Sequence, residues 1–273
     1  MLGALLIVFR EVMEAGLVVG IVLAATRGIP GRGWWVSLGV TTGILGASIV
    51  AMFAGAISGA FSGSGQELLN ALVLFVAVSS LTWHNVWMAE HGREIVAELR
   101  QVGADVSVGR KPLAVLAVVV FTAVMREGSE VVLFLYGIVV AGTSTQSLLV
   151  GGFLGLLAGA CLTGLSYLGL IALPTRYIFS VTTALLTLLA AGMAAQAIHL
   201  LQAAGVVTAL HNRVWDTSWL LPDSSILGRL LHVLVGYTAK PTAMQLVVYL
   251  LTLAAILMLM RFSSASRRHA ARA

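Results

Sequence analysis

Two segments of the chain could do chemistry, and they share one pattern: Arg10-Glu11-Val12-Met13-Glu14 and, 116 residues later, Arg126-Glu127-Gly128-Ser129-Glu130. In a helix the arginine and the second glutamate stand at i and i+4, and the two glutamates are three apart on nearly the same face. Each segment therefore offers two carboxylates with an internal countercharge. Carboxylate oxygens suit hard cations such as Mg²⁺, Ca²⁺, Mn²⁺ and ferric iron, and give no preference for soft Cu(I). Arg10 and Arg126 would offset part of the negative charge of the four glutamates. Two other uses of the same residues stand beside this one. The ion pairs could only fix packing, or the arginines could bind an anionic solute while the glutamates carry protons.

The surroundings decide how costly these segments are. The 273-residue chain is 59% hydrophobic and only 10% charged, with a mean hydropathy of +0.99. Soluble domains carry about 25% charged residues, so this composition is that of a polytopic membrane protein. The net charge of +5 follows topology and is not a nucleic-acid signal. Burying one charge at bilayer depth costs roughly 2.5–3.5 kcal/mol, and intramembrane ionisable groups are functional by default. A twofold repeat of three such groups is poor packing glue, which favours a cation site. The single cysteine, Cys161, lies in an apolar run and reads as a packing residue. Ser/His/Asp sets, zinc-protease motifs and Gly-rich nucleotide loops find no convincing match, so the chain reads as a transporter and not an enzyme.

Apolar runs long enough to span about 30 Å of hydrocarbon predict seven helices, near 3–26, 35–60, 68–89, 112–140, 147–172, 178–204 and 244–262. Eleven of the sixteen basic residues fall in segments after the first, third, fifth and seventh helices, among them Arg93, Arg100, Arg110, Lys111, Arg176 and Arg267. The positive-inside rule then places the N-terminus outside and the C-terminus in the cytoplasm. The first six helices read as two copies of three. Small residues recur every four positions in the second helix (Gly39, Gly43, Ala47, Ala51, Gly55, Gly59) and in the fifth (Gly151, Gly155, Gly159). Such stripes let helix backbones approach closely, either within the chain or in a homo-oligomer. With three helices per copy, the second copy crosses the membrane inverted, an architecture whose substrate site lies near the midplane.

The expected fold is thus an all-α membrane protein, a 3+3 inverted repeat plus one C-terminal helix, forming a single transmembrane domain. Its parts are a first repeat (1–90), a cytoplasmic loop (90–111), a second repeat (112–204), an external segment (205–243), a last helix (244–262) and a cytoplasmic tail (263–273). The external segment carries Asp216, Asp223, His211 and His232 with two tryptophans, and Ile226 to Val235 reads as a short amphipathic helix. A metal-capture or partner-docking surface is the sharper reading of this segment. His84 and His199, 115 residues apart, are expected to be neutral packing residues, with a proton relay or accessory ligand as the alternative.

The paired Arg-Glu-x-x-Glu motifs in the first and fourth of seven helices resemble the signature of the oxidase-dependent high-affinity iron permeases, which include fungal ferric permeases and bacterial EfeU-type iron transporters. The likeness runs along nearly the whole chain. It includes Gln66-Glu67-Leu68, Leu81-Thr82-Trp83 with Trp87-Met88, Ala190-Ala191-Gly192, and Gly236-Tyr237 with Pro241. It departs at Val12-Met13 and Gly128-Ser129, where the family has Gly-Leu between the glutamates, and at Asn70, where the family has an acid. The resemblance implies iron import across the cytoplasmic membrane, with Fe³⁺ supplied by an extracytoplasmic oxidase or a periplasmic donor protein and no permanently bound cofactor. Carried over by position, it assigns iron handling to Glu11, Glu14, Glu127 and Glu130, with Arg10 and Arg126 as motif arginines and Glu67 as an outer ligand. Related proteins carry lead, and the donor set also admits Mn²⁺.

Overall fold

The computed structural model describes residues 1–60, 66–169, 175–223 and 225–270. Arg272, the end of the expected fifth helix at 170–172, and the side chains of Glu90, Arg93, Arg176, Arg229, Arg267 and Arg268 lie outside the described residues, as do the surroundings of Gly55 and Gly59. The regular elements among the described residues are all helices: α1 (Leu2–Ala25), α2 (Arg32–Ala60), α3 (Gln66–Ser107), α4 (Ala114–Val140), α5 (Thr145–Tyr167), α6 (Thr175–Ala203), α7 (Ile226–Val235) and α8 (Ala243–Ala270). Five of these, α2, α3, α5, α6 and α8, contain segments long and apolar enough to cross a membrane. Helices α1 and α4 have 24 and 27 residues. What sets them apart is the three ionisable groups that each motif places in the apolar run. The protein is a multi-pass membrane protein.

Helix α3 differs from expectation. It does not stop near residue 89 but continues to Ser107, 42 residues in all and roughly 60 Å long. Its acids and bases alternate at helical spacing, so the expected solvated face extends the membrane helix instead of forming a separate loop. Asp105 ends it, with Lys111 Nζ 3.2 Å and Arg110 Nη1 3.7 Å from its carboxylate. The amphipathic helix expected at 226–235 is present as α7. Ser225 caps it by accepting the Gly228 N–H at 2.9 Å, and Gly236 closes it in the left-handed region at φ 70°. Gly236 also packs against Gly192 of α6, where a Cβ on Gly192 would stand 2.6 Å from the Gly236 Cα. Two glycines from distant segments are thus needed at one contact.

The segment expected outside, 205–243, spends much of its polar chemistry on its own shape. Asp223 accepts the Ala239 N–H at 2.9 Å, and the His232 Nδ1 lies 2.7 Å from the Tyr237 carbonyl. Asp216 accepts from the Ser218 hydroxyl and backbone N–H and pairs with Lys240 at 3.0 Å. Those contacts, the Ser218 hydroxyl first, hold its carboxyl down to about 2. The structural reading of this segment accounts for these three residues.

Packing crosses between the two halves. The most extensive contacts are α1 with α5 and α2 with α4, followed by α3 with α6. The glycine stripes make the first two. A Cβ on Gly39 would stand 2.6 Å from the Ala117 carbonyl, and one on Gly43 3.1 Å from that of Phe121. On the other side, Gly151 meets the Met1 carbonyl and Gly155 would place a Cβ 2.6 Å from that of Leu5. The two interfaces are the same interface, shifted by 112 positions along the glycine helices and 116 along the motif helices. In each, residue numbers rise together, so α1 is parallel to α5 and α2 to α4. A four-residue turn, 141–144, joins α4 to α5, so α4 runs back against α1.

Gly43→Val and Gly155→Val should each destabilise the protein by about 1–3 kcal/mol through overpacking against backbone. Gly20→Ala, with nothing within 4 Å of the added methyl, should leave stability unchanged. Thermal melting of the purified protein in detergent checks the contrast.

Candidate metal centre

Antiparallel crossing of α1 and α4 brings the two Arg-Glu-x-x-Glu segments together, and α3 closes the third side. Glu11, Glu14 and Glu127 are buried, and Glu130 is nearly so. Oxygens of Glu11, Glu127 and Glu130 and a ring nitrogen of His84 all lie within 4.8 Å of one another. Metal–ligand distances of about 2.0–2.6 Å put ligands on opposite sides of an ion about 4–5 Å apart, so the group can close on one cation. Glu14 adjoins it, its Oε2 3.2 Å from His84 Nε2, while His84 Nδ1 lies 2.5 Å from Glu130 Oε2. These two contacts are close in distance but not aligned as hydrogen bonds.

Among the described residues, both oxygens of Glu11 and one oxygen each of Glu14, Glu127 and Glu130 have no hydrogen-bond donor. Buried carboxylate oxygens without donors are strongly unfavourable. A cation placed among them would satisfy several at once.

The two arginines are held differently. Arg10 Nε donates to Glu14 Oε1 at 2.8 Å and Nη1 to Asn85 Oδ1 at 2.6 Å, and the residue is only 2% exposed. Arg126 Nε donates to Glu130 Oε1 at 3.2 Å and lies 3.8 Å from Glu127, with its side chain 37% exposed. Its guanidinium sits over the Trp87 ring at 4.3 Å, a cation–π contact. Because α1 and α4 are antiparallel and each arginine precedes its glutamates, Arg10 and Arg126 flank the carboxylates from opposite ends.

The expected site residues thus divide. Glu11, Glu14, Glu127, Glu130, Arg10 and Arg126 come together. Glu67 does not: it is exposed in the first turn of α3, roughly 25 Å along the helix from His84. His84 stands among the glutamates and not simply in packing, whereas His199 is exposed and lines a separate cavity. Asn85 and Trp87 were not singled out for the site. The polar pair His84-Asn85 inside an apolar run was the available signal, but only the crossing of α3 over α1 and α4 distinguishes it from His199.

That cavity, about 1100 Å³, opens where α4 and α6 end and α5 and α8 begin, and is lined by His199, Gln202, His211, Arg213, His232 and Gln245 among others. Between it and the carboxylates lie Ile7, Leu81, Phe134, Ile138 and Met193, all in one buried apolar cluster. Ile7 is one turn from Glu11 and Phe134 one turn from Glu130. A second apolar cluster, with Val22, Leu99, Leu116 and Val120, lies beyond the opposite side. The first cluster closes the site toward the larger cavity, whereas a separate cavity of about 570 Å³, lined by Glu11, Gly16, Ala47, Glu127 and Gly128 among others, reaches two of its carboxylates.

Residues 1–268, the motifs included, match the Iron permease FTR1 family. The chain belongs to that family. It is 31% identical over 252 residues to the ferrous iron permease EfeU of Escherichia coli O6:K15:H31 (strain 536 / UPEC), covering 91% of each chain. It is 30% identical over 263 residues to the protein of the same name from Yersinia pestis, covering 93% of this chain and 91% of that one. No solved structure matches. Both the family and these relatives are permeases, so the chain is a transporter and not an enzyme, and iron transport is its family's activity.

Removing one partner of a buried ion pair costs about 3–5 kcal/mol, whereas exposed pairs are worth about 0–1. Arg10→Ala should therefore lower the melting temperature of this permease well beyond Arg126→Ala, although the two residues occupy matching motif positions. Melting both variants beside wild type checks it.

Proposed function

We propose that this permease imports iron across the cytoplasmic membrane, with the two motifs forming one ion site from Glu11, Glu14, Glu127 and Glu130. The observation that carries this is the meeting of Glu11, Glu127 and Glu130, from helices 116 residues apart in sequence, with both oxygens of Glu11 and one each of Glu127 and Glu130 undonated among the described residues. In this reading the chain has seven membrane spans, the two motif helices included, and forms a single permease domain with its N-terminus outside and its C-terminus in the cytoplasm. The shifted, parallel-register interfaces and the opposed α1 and α4 support an inverted repeat. The large polar cavity is then the outer vestibule. Glu67, on the same side, is an outer residue that ions pass before the site.

Two observations bear on the charge of the ion. Four hard carboxylates suit Fe³⁺, delivered by an extracytoplasmic oxidase or a periplasmic donor. With all four glutamates ionised and His84 neutral, the two arginines leave two negative charges uncompensated, which a divalent ion neutralises and a trivalent ion exceeds. The curated relatives are named for ferrous iron. The charge balance favours Fe²⁺. The inside-negative membrane potential favours entry of either ion, by about 2.3 kcal/mol per charge per 100 mV. An anion carrier fits less well, because Arg10 is engaged by Glu14 and Asn85 and is sealed from the cavity.

In proteoliposomes, Glu11→Gln and Glu130→Gln should each reduce iron uptake at least about tenfold, the scale of lost metal-site contacts. Uptake that survives both changes would remove the motifs from the ion path. Parallel assays with ascorbate-kept Fe²⁺, chelated Fe³⁺, Mn²⁺ and Pb²⁺ settle the substrate, and rates should be highest with Fe²⁺. A C-terminal fluorescent-protein fusion should fluoresce in cells and a C-terminal alkaline phosphatase fusion should be inactive. The opposite pair of results would invert the topology.

A further inference from the structure

We infer that His84 is a direct ligand of the transported ion, and that its imidazole makes a carboxylate site select transition-metal ions over Mg²⁺ and Ca²⁺. The inference rests on reading the two motifs as the ion site, and adds to it a residue outside both. His84 is 1% exposed and belongs to the group whose ligand atoms fall within 4.8 Å. Neither ring nitrogen has an aligned hydrogen bond among the described residues, although carboxylates of Glu14 and Glu130 lie at 3.2 and 2.5 Å. A buried imidazole aimed at carboxylates from two helices is placed to bind and not merely to fill space. The interior behind it is already supplied with apolar side chains such as Leu81, Phe134 and Ile7.

The chemistry that follows is selectivity. Ca²⁺ and Mg²⁺ are bound through oxygen, and glutamates alone hold them as readily as they hold iron. Imidazole nitrogen suits iron, zinc, copper and nickel and adds little for alkaline-earth ions. With one nitrogen on the ion, the other stays against a carboxylate. That arrangement fixes ring orientation and strengthens the ligand, as in other carboxylate–histidine–metal pairs. The nitrogen also breaks the twofold pattern of the motifs. His199, the nearest counterpart in α6, faces the cavity and not the carboxylates.

The test is pulsed electron paramagnetic resonance on the full-length protein in detergent, loaded with Mn²⁺, which reports a directly bound ¹⁴N. Wild type should show imidazole nitrogen coupling. His84→Gln and His84→Met should bind Mn²⁺ without it, and their Zn²⁺-over-Ca²⁺ affinity ratio should fall at least about tenfold. Bound Mn²⁺ with no nitrogen coupling in wild type would overturn the proposal, a result that needs no variant to fold. So would an unchanged affinity ratio in both variants. Glu11→Gln separates the two layers. If it abolishes Mn²⁺ binding while wild type lacks the nitrogen signal, the motif site stands and the role of His84 falls. If Mn²⁺ binding is indifferent to Glu11→Gln, both fall together.

Discussion

Four carboxylates buried in an apolar bundle are the constraint to which the rest of this molecule answers. Left alone they would repel one another in a medium that screens poorly. Two arginines on the same helices offset half of the charge, and the antiparallel crossing sets one arginine at each end of the cluster. Among the described residues the remaining imbalance is not relieved by aligned donors, since both oxygens of Glu11 and one each of Glu14, Glu127 and Glu130 lack one. In the proposed reading, an ion that comes and goes would relieve it. The same shortage of donors that would mark a poor structural core is what an ion-carrying site requires.

The scaffold that holds this cluster is built from absences of side chain. Glycines at positions 39, 43, 151 and 155 let α2 and α5 lie directly on the carbonyls of α4 and α1, so the motif helices are fixed by backbone contact and not by large interlocking residues. α3 closes the cluster and supplies asymmetry. Asn85 holds Arg10 in a dry setting, and Trp87 holds Arg126 in a partly open one. Two motifs alike in sequence thus sit in unlike surroundings.

The helices were legible because hydrophobic run length and charge placement are local signals. The boundaries of α1, α4, α6 and the short α7 lie within a few residues of expectation, and the motif glutamates meet as the repeat implied. The continuation of α3 to Ser107 was less legible, because a polar amphipathic stretch reads as surface whether or not it extends a membrane helix. His84 and His199 looked equivalent, each a lone histidine in an apolar run. Which one joins the carboxylates depends on how α3 and α6 rotate about their own axes in packing, and that is decided by contacts with helices distant in sequence. Glu67 illustrates the converse: motif resemblance identified the residue, but it could not say how far along the helix it would stand from the others.

The cross-pairing of halves has a consequence for how the protein is made. Helix α1 finds its main partner only in α5, so it must wait until Thr145–Tyr167 has been synthesised. At 5–20 residues per second that is an interval of roughly 7–30 s. For that time a segment bearing Arg10, Glu11 and Glu14 has neither its glycine-lined neighbour nor the opposing motif, and Arg10 with Glu14 is the pairing it can make by itself. The intrahelical pair therefore shields the nascent helix before it has any part in the finished transporter. A countercharge within the motif thus serves the making of the helix as well as the folded protein.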